Sequence, residues 1–213
     1  MKNARKLAAP AAALALALTL AACSAEADET AAPEPSATQD DGASDDGASD
    51  DSAAGTAHND ADSEFAQMMI VHHEGALEMA ELAIERAGGE EVRALGERIA
   101  AAQDPEIELM SGWLTAWGED QPDVADMGGM GNEGMDMGGL DQAAAMAELT
   151  GLDGSDFDRR FLELMIEHHR GAIVMAETER GEGTNQQATR LAQQIIDDQT
   201  AEIAEMTNLL RTL

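Results

Sequence analysis

The chain contains no tyrosine, three phenylalanines, two tryptophans and a single cysteine among its 213 residues. So few aromatic rings leave no platform on which bases or sugars would stack. One cysteine, Cys23, excludes an intrachain disulfide. Positive charge is scarce too: 12 Lys and Arg stand against 43 Asp and Glu, a formal net charge of −31. A surface of that sign repels phosphate backbones, which excludes nucleic acid as a partner, while it favours solubility and concentrates cations nearby. No Ser or Cys nucleophile stands in a recognisable frame with a histidine, so hydrolase chemistry has no support.

The one long apolar run lies at the N-terminus. Lys2, Arg5 and Lys6 precede an Ala/Leu stretch from Leu7 to Ala21, short for a membrane span and ending in small residues, as a secretory signal does. It closes as Leu20-Ala21-Ala22-Cys23, which resembles a bacterial lipobox. The resemblance implies removal of signal peptide 1–22, a lipid on the Cys23 thiol, and an exported protein anchored to the outer face of the cell membrane. The lipid would be its only membrane contact. Losing three basic and no acidic groups would take the formal charge from −31 to −34. Residues 23–58 follow without a large apolar side chain and include the tandem "DDGASDDGASDD" from Asp40 to Asp51. Such a segment buries too little surface to offset its ordering entropy, so it is expected to be a disordered acidic tether. It lacks the alternating ligands and closing Glu of a calcium loop.

From Asn59 the pattern becomes helical and repeats. A gap-free shift of 96 residues places Phe65, Met69, Ile70, His72, His73, Gly75, Ala76 and Met79 on Phe161, Met165, Ile166, His168, His169, Gly171, Ala172 and Met175. The same shift pairs Leu95, Ile99, Gln103, Glu106, Ile107, Met110 and Leu114 with Leu191, Ile195, Gln199, Glu202, Ile203, Met206 and Leu210, at the spacing of one helix face. Each half is thus two helices joined by a glycine turn, Gly88-Gly89 in the first and Gly181-Glu182-Gly183 in the second. Asn59 and Asp62 match Ser155 and Asp158, all four expected at helix starts. One hairpin cannot bury its apolar stripe alone, so two are expected to face each other across a pseudo-twofold axis. The fold class is all-α, a duplicated four-helix bundle over residues 59–213. Its parts are repeat 1 at 59–117, a Met/Gly linker with a short extra helix near Leu140–Leu149 at 118–154, and repeat 2 at 155–213. Pro105 predicts a kink or break in its helix.

Four of the five histidines fall in "MMIVHHEGALEMAE" (Met68 to Glu81) and "LMIEHHRGAIVMAE" (Leu164 to Glu177). At 100° per residue, Met69, His72, His73, Ala76 and Met79 share roughly one third of a helix circumference. Met69 precedes His72 and His73 by three and four residues, within chelating reach. Met79 lies about 10 Å further along the axis and would have to share an ion with groups of a facing helix. Gly75 and Gly171 leave space beside each His pair, for a neighbouring helix or a ligand. Imidazole plus thioether suits copper, with Cu(I) the species thioethers favour. Zinc seldom takes Met, and di-iron bundles need Glu-x-x-His pairs, absent here. Candidate metal ligands are therefore His72, His73, His168, His169, Met69, Met165, Met79 and Met175. Met127, Met130, Met135 and Met137 in the linker form a candidate secondary copper-capturing segment. The plainer reading makes the methionines core filler and the histidines packed side chains. Against it, burying four imidazoles without partners is costly.

The doubled His-His/Met segments, each followed by Gln-x-x-Glu-Ile-x-x-Met, resemble the domain of unknown function 305 family over about residues 59–213. The resemblance implies a ferritin-like four-helix bundle, commonly exported, with some members associated with copper binding or tolerance and no established catalysis. The leading expectation is a lipid-anchored extracytoplasmic protein that binds or buffers copper, Cu(I) or Cu(II). The alternatives are a non-catalytic interaction bundle with packed histidines, its protein partner open, and a ferritin-like metal oxidase.

Overall fold

The computed structural model describes residues 55–122 and 139–213. The signal segment, lipidation at Cys23, most of the acidic tether and the linker residues Met127, Met130, Met135 and Met137 lie outside the described residues. Among the described residues there are five named helices: α1 (Asp60–Arg86), α2 (Glu90–Trp117), α3 (Gln142–Thr150), α4 (Gly154–Glu182) and α5 (Gln186–Leu210). Among the described residues there is no strand, only an isolated bridge between Ala87 and Gly154. The fold is an all-α, ferritin-like four-helix bundle of two tandem hairpins, α1–α2 and α4–α5, with α3 as the short extra helix.

The first helix starts where the sequence says it should. The Asn59 side chain accepts from the Asp62 N–H, and the Asp62 carboxylate accepts from the Asn59 N–H, a reciprocal cap. The second hairpin differs, because Asp153 takes the N-cap position of α4 without a side-chain capping bond and Ser155 already lies inside the helix. Gly181 and Glu182 are likewise helical, so the second turn shortens to Gly183–Asn185. Asn185 opens α5 by accepting from the N–H groups of Gln187 and Ala188.

Pro105 breaks nothing: α2 runs through it without interruption. Its neighbours Ala101, Ala102 and Asp104 are exposed, so water can satisfy the carbonyl that loses its donor. The expected tether also ends early. Gly55 and Ala57 carbonyls accept from Trp117 Nε1 and Asn185 Nδ2, and the His58 ring stacks on Trp117 at 4.6 Å. The fifth histidine thus pins the chain where it enters the bundle.

Two symmetric latches join the hairpins. Asp158 of α4 accepts from the backbone N–H groups of Gly88 and Gly89, at 2.9 and 2.8 Å. Asp62 of α1 accepts from the N–H groups of Thr184 and Asn185, at 3.1 and 2.9 Å, the same turn positions shifted by 96 residues. Each latch needs backbones in close approach. A Cβ on Gly88 would stand 2.8 Å from the Gly154 Cα, so only glycine fits there. These contacts tie the start of α1 to the end of α4, and the start of α4 to the end of α1. The two helices therefore run antiparallel.

Candidate metal centre

The apolar core is not continuous. One cluster contains Ala76, Met79, Leu95, Ile99, Phe161, Met165 and Met206, and the other Phe65, Met69, Ile70, Met110, Ala172, Leu191 and Ile195. In each of the four long helices the chain passes from one cluster to the other through buried polar residues. These are His72 and His73 in α1, Gln103 in α2, His168 and His169 in α4, and Gln199 in α5. The result is a polar layer across the waist of the bundle, between two apolar halves.

The four histidines do meet there. His72 and His168, one from each repeat, stand in contact with ring centroids 3.7 Å apart and planes tilted by 51°. His72 and His73 lie 6.5 Å apart, edge to face. The second histidine of each pair has a carboxylate partner on the flanking helix: His73 Nε2 lies 2.7 Å from Glu106, and His169 Nε2 lies 2.5 Å from Glu202. A carboxylate only accepts, so Nε2–H donates and Nδ1 keeps the lone pair in the neutral ring. The Nδ1 atoms of His73, His168 and His169 are buried without a hydrogen-bond partner, and so are Oε1 of Gln103 and of Gln199. Burial first, and the neighbouring imidazoles second, push the His168 pKa well below its ordinary value. Its ring is neutral, with a lone pair available.

Among the described residues no three His, Cys, Asp or Glu are disposed to hold one metal ion. An ion in the layer therefore calls on thioethers as well. Met69 and Met165 are fully buried one turn before each His pair and border the layer from opposite sides. Met79 and Met175 do not join it. Because α1 and α4 are antiparallel and cross at His72 and His168, each of these methionines is carried toward its own end of the bundle. Met79 packs with Phe161, and Met175 packs against the cluster of Phe65. Reach across the bundle, the expectation for both, fails on axial register. The space beside Gly75 is also taken: Gln142 of α3 donates to the Gly75 carbonyl, and its Oε1 stands 2.9 Å from where a Cβ would be.

Glu106 and Glu202 belong to the site although they were read only as part of the repeat. Their signal was present, since a glutamate matched in both halves on a helix's apolar stripe is out of place unless it has a partner.

A helical-hairpin dimer in one chain, with paired histidines and orphaned nitrogens at its waist, defines a class of duplicated bundle proteins built around a buried polar centre. The chain belongs to the family of the domain of unknown function DUF305, which it matches over residues 62–210. A DUF305 protein of Streptomyces coelicolor, described as secreted, is 37% identical with a TM-score of 0.63, covering 71% of this chain and 93% of that one. A DUF305 fragment from Deinococcus radiodurans is 31% identical with a TM-score of 0.64, covering 73% and 98%. CopM in its Cu(I)-bound form is 30% identical with a TM-score of 0.58, covering 71% and 96%; CopM structures with Cu(II) and with silver match as well. No curated protein matches the chain.

Proposed function

We propose that this chain is an extracytoplasmic copper-binding protein that holds the ion in the polar layer at the bundle waist. The facing His72 and His168 supply imidazole nitrogens, His73 and His169 supply Nδ1, and Met69 and Met165 supply thioethers. The observation that carries the reading is the set of buried imidazole nitrogens of His73, His168 and His169 without partners, lone pairs that a metal ion would satisfy. The donor chemistry favours copper, and copper is bound by CopM, a relative of the same fold. Its role would be to buffer the ion or pass it on. Export and lipid anchoring through Cys23 rest on the N-terminal pattern and on the secreted relative.

Titration of the metal-free protein with Cu(I) against a chromophoric competitor, and with Cu(II) separately, tests the site. Replacing His72 and His168 by Asn is expected to weaken Cu(I) binding on the order of a hundredfold, from loss of two ligands. Unchanged affinity after all four histidines are replaced would sink the assignment.

Glu106 and Glu202 act through the histidines rather than on the ion. Replacing both by Ala is expected to weaken copper binding about 10–100-fold, the usual cost of removing a partner that orients a ligand. The accompanying readout is ¹⁵N spectroscopy of the imidazoles, in which the Nε2–H form of His73 and His169 should lose its dominance. Affinity that falls while the tautomers stay put would assign the glutamates a different role.

A further inference from the structure

The pseudo-twofold relates two seams between α1 and α4, one on each side of the histidine layer, and they have diverged. The first is closed. Helix α3 lies over it, with Ala145 and Leu149 buried in its cluster, Gln142 bonded to Gly75 and Glu78, and Arg160 paired with Glu148. The second contains a cavity of about 170 Å³. Seven of the nine residues lining it differ from their counterparts in the other repeat, and four of those changes bear on ligand chemistry. Where the closed seam has Arg160, Arg86, Ala83 and Leu164, the cavity has Glu64, Glu182, Glu179 and Met68. Met175, the counterpart of Met79, lines the cavity with them.

Glu179 is the unusual member. It is 1% exposed, and neither carboxylate oxygen meets a hydrogen-bond donor. Its carboxylate lies directly over Gly183, where a Cβ would push it aside. A carboxylate buried this way needs a counter-charge. Two basic residues at equivalent positions are here replaced by glutamates at the cavity rim, which draws cations toward it.

We propose that this cavity is a second site for a soft monovalent cation, Cu(I) or Ag(I), held by the thioethers of Met68 and Met175 and the carboxylate of Glu179. Thioethers select such ions, whereas calcium and magnesium ask for six or more oxygens and zinc seldom takes Met. Its positive charge offsets the negative charge that the buried Glu179 and its neighbour Asp62 bring to this end of the bundle. The site shares no ligand with the histidine layer and stands whether or not that layer binds copper.

Protein carrying ¹³C-methyl methionine, titrated with Ag(I) and followed by NMR, tests it. The Met68 and Met175 methyl resonances should shift together, and should still do so after His72→Asn and His168→Asn. In Glu179→Gln, and separately in Met175→Leu, the Met68 shift should require at least about tenfold more Ag(I) while Met69 and Met165 respond as before. Both changes preserve side-chain volume, so the fold survives them. Stationary Met68 and Met175 resonances at saturating Ag(I), or variants that titrate like the parent, would overturn the proposal. Movement of Met68 and Met175 with Met69 and Met165 stationary would instead remove the histidine-layer site and leave this one.

Discussion

Replacing Asp158 by Ala is expected to destabilise the protein by about 2–3 kcal/mol, lowering the melting temperature by roughly 5–10 °C. The carboxylate is buried and receives two backbone N–H groups from the turn of the other hairpin. Alanine leaves both donors without an acceptor in a space too tight for the turn to rearrange, since Gly88 already touches the backbone of Gly154. Asp62 offers the internal comparison. It accepts from Thr184 N–H, Thr184 Oγ1, Asn185 N–H and Asn59 N–H, more bonds than Asp158 receives. Burial alone would raise its pKa, but donors from Asn185, Asn59 and Thr184 outweigh burial and hold it below the ordinary range. Yet Asp62→Ala should cost less than that bond count suggests, because it also removes a negative charge beside Glu179. Thermal melts of the two variants against the parent check both statements. An Asp158→Ala protein that melts with the parent would mean that the latch holds nothing.

Those latches show where sequence reasoning reached and where it stopped. The 96-residue shift made the duplication, the hairpins and the core faces legible, because each is a matter of periodicity within one helix. Asp62 and Asp158 were visible as matched acids near helix starts and read as local caps. Their main partners, Gly88–Gly89 and Thr184–Asn185, lie 69 to 123 residues away and leave no local trace. The methionines fail in a similar way. A helical wheel puts Met79 and Met175 on the core face, and both do face inward. It carries no axial register, and antiparallel crossing at the histidines separates them by about 20 Å along the bundle. Glu179 was illegible for the opposite reason. Its counterpart is Ala83, so the repeat marks it as a diverged position, and divergence usually means surface.

In the metal-free protein, stability should fall as pH rises from about 5 to 9, and Glu179 should be the cause. Burial first, and then the neighbouring Asp62 carboxyl, raise its pKa from the ordinary 4.5 to about 8. The groups facing it are Asp62 and Glu64 from α1, with Glu182 on its own helix, all acids. The folded state therefore binds a proton that the unfolded chain has already released. That contribution is present in full below pH 4.5 and is lost as pH climbs through about 8. Discounted for water at the cavity mouth, it amounts to about 2–3 kcal/mol. Chemical denaturation at a series of pH values measures it. Glu179→Ala, which installs the residue that the other repeat has at Ala83, should flatten the alkaline slope and leave the variant more stable than the parent at pH 9. His58 and His168 titrate in both proteins, so the difference between the two curves isolates Glu179. Parallel curves would mean that the carboxyl stays ionised at neutral pH, with its charge balanced by a donor it does not meet in this structure.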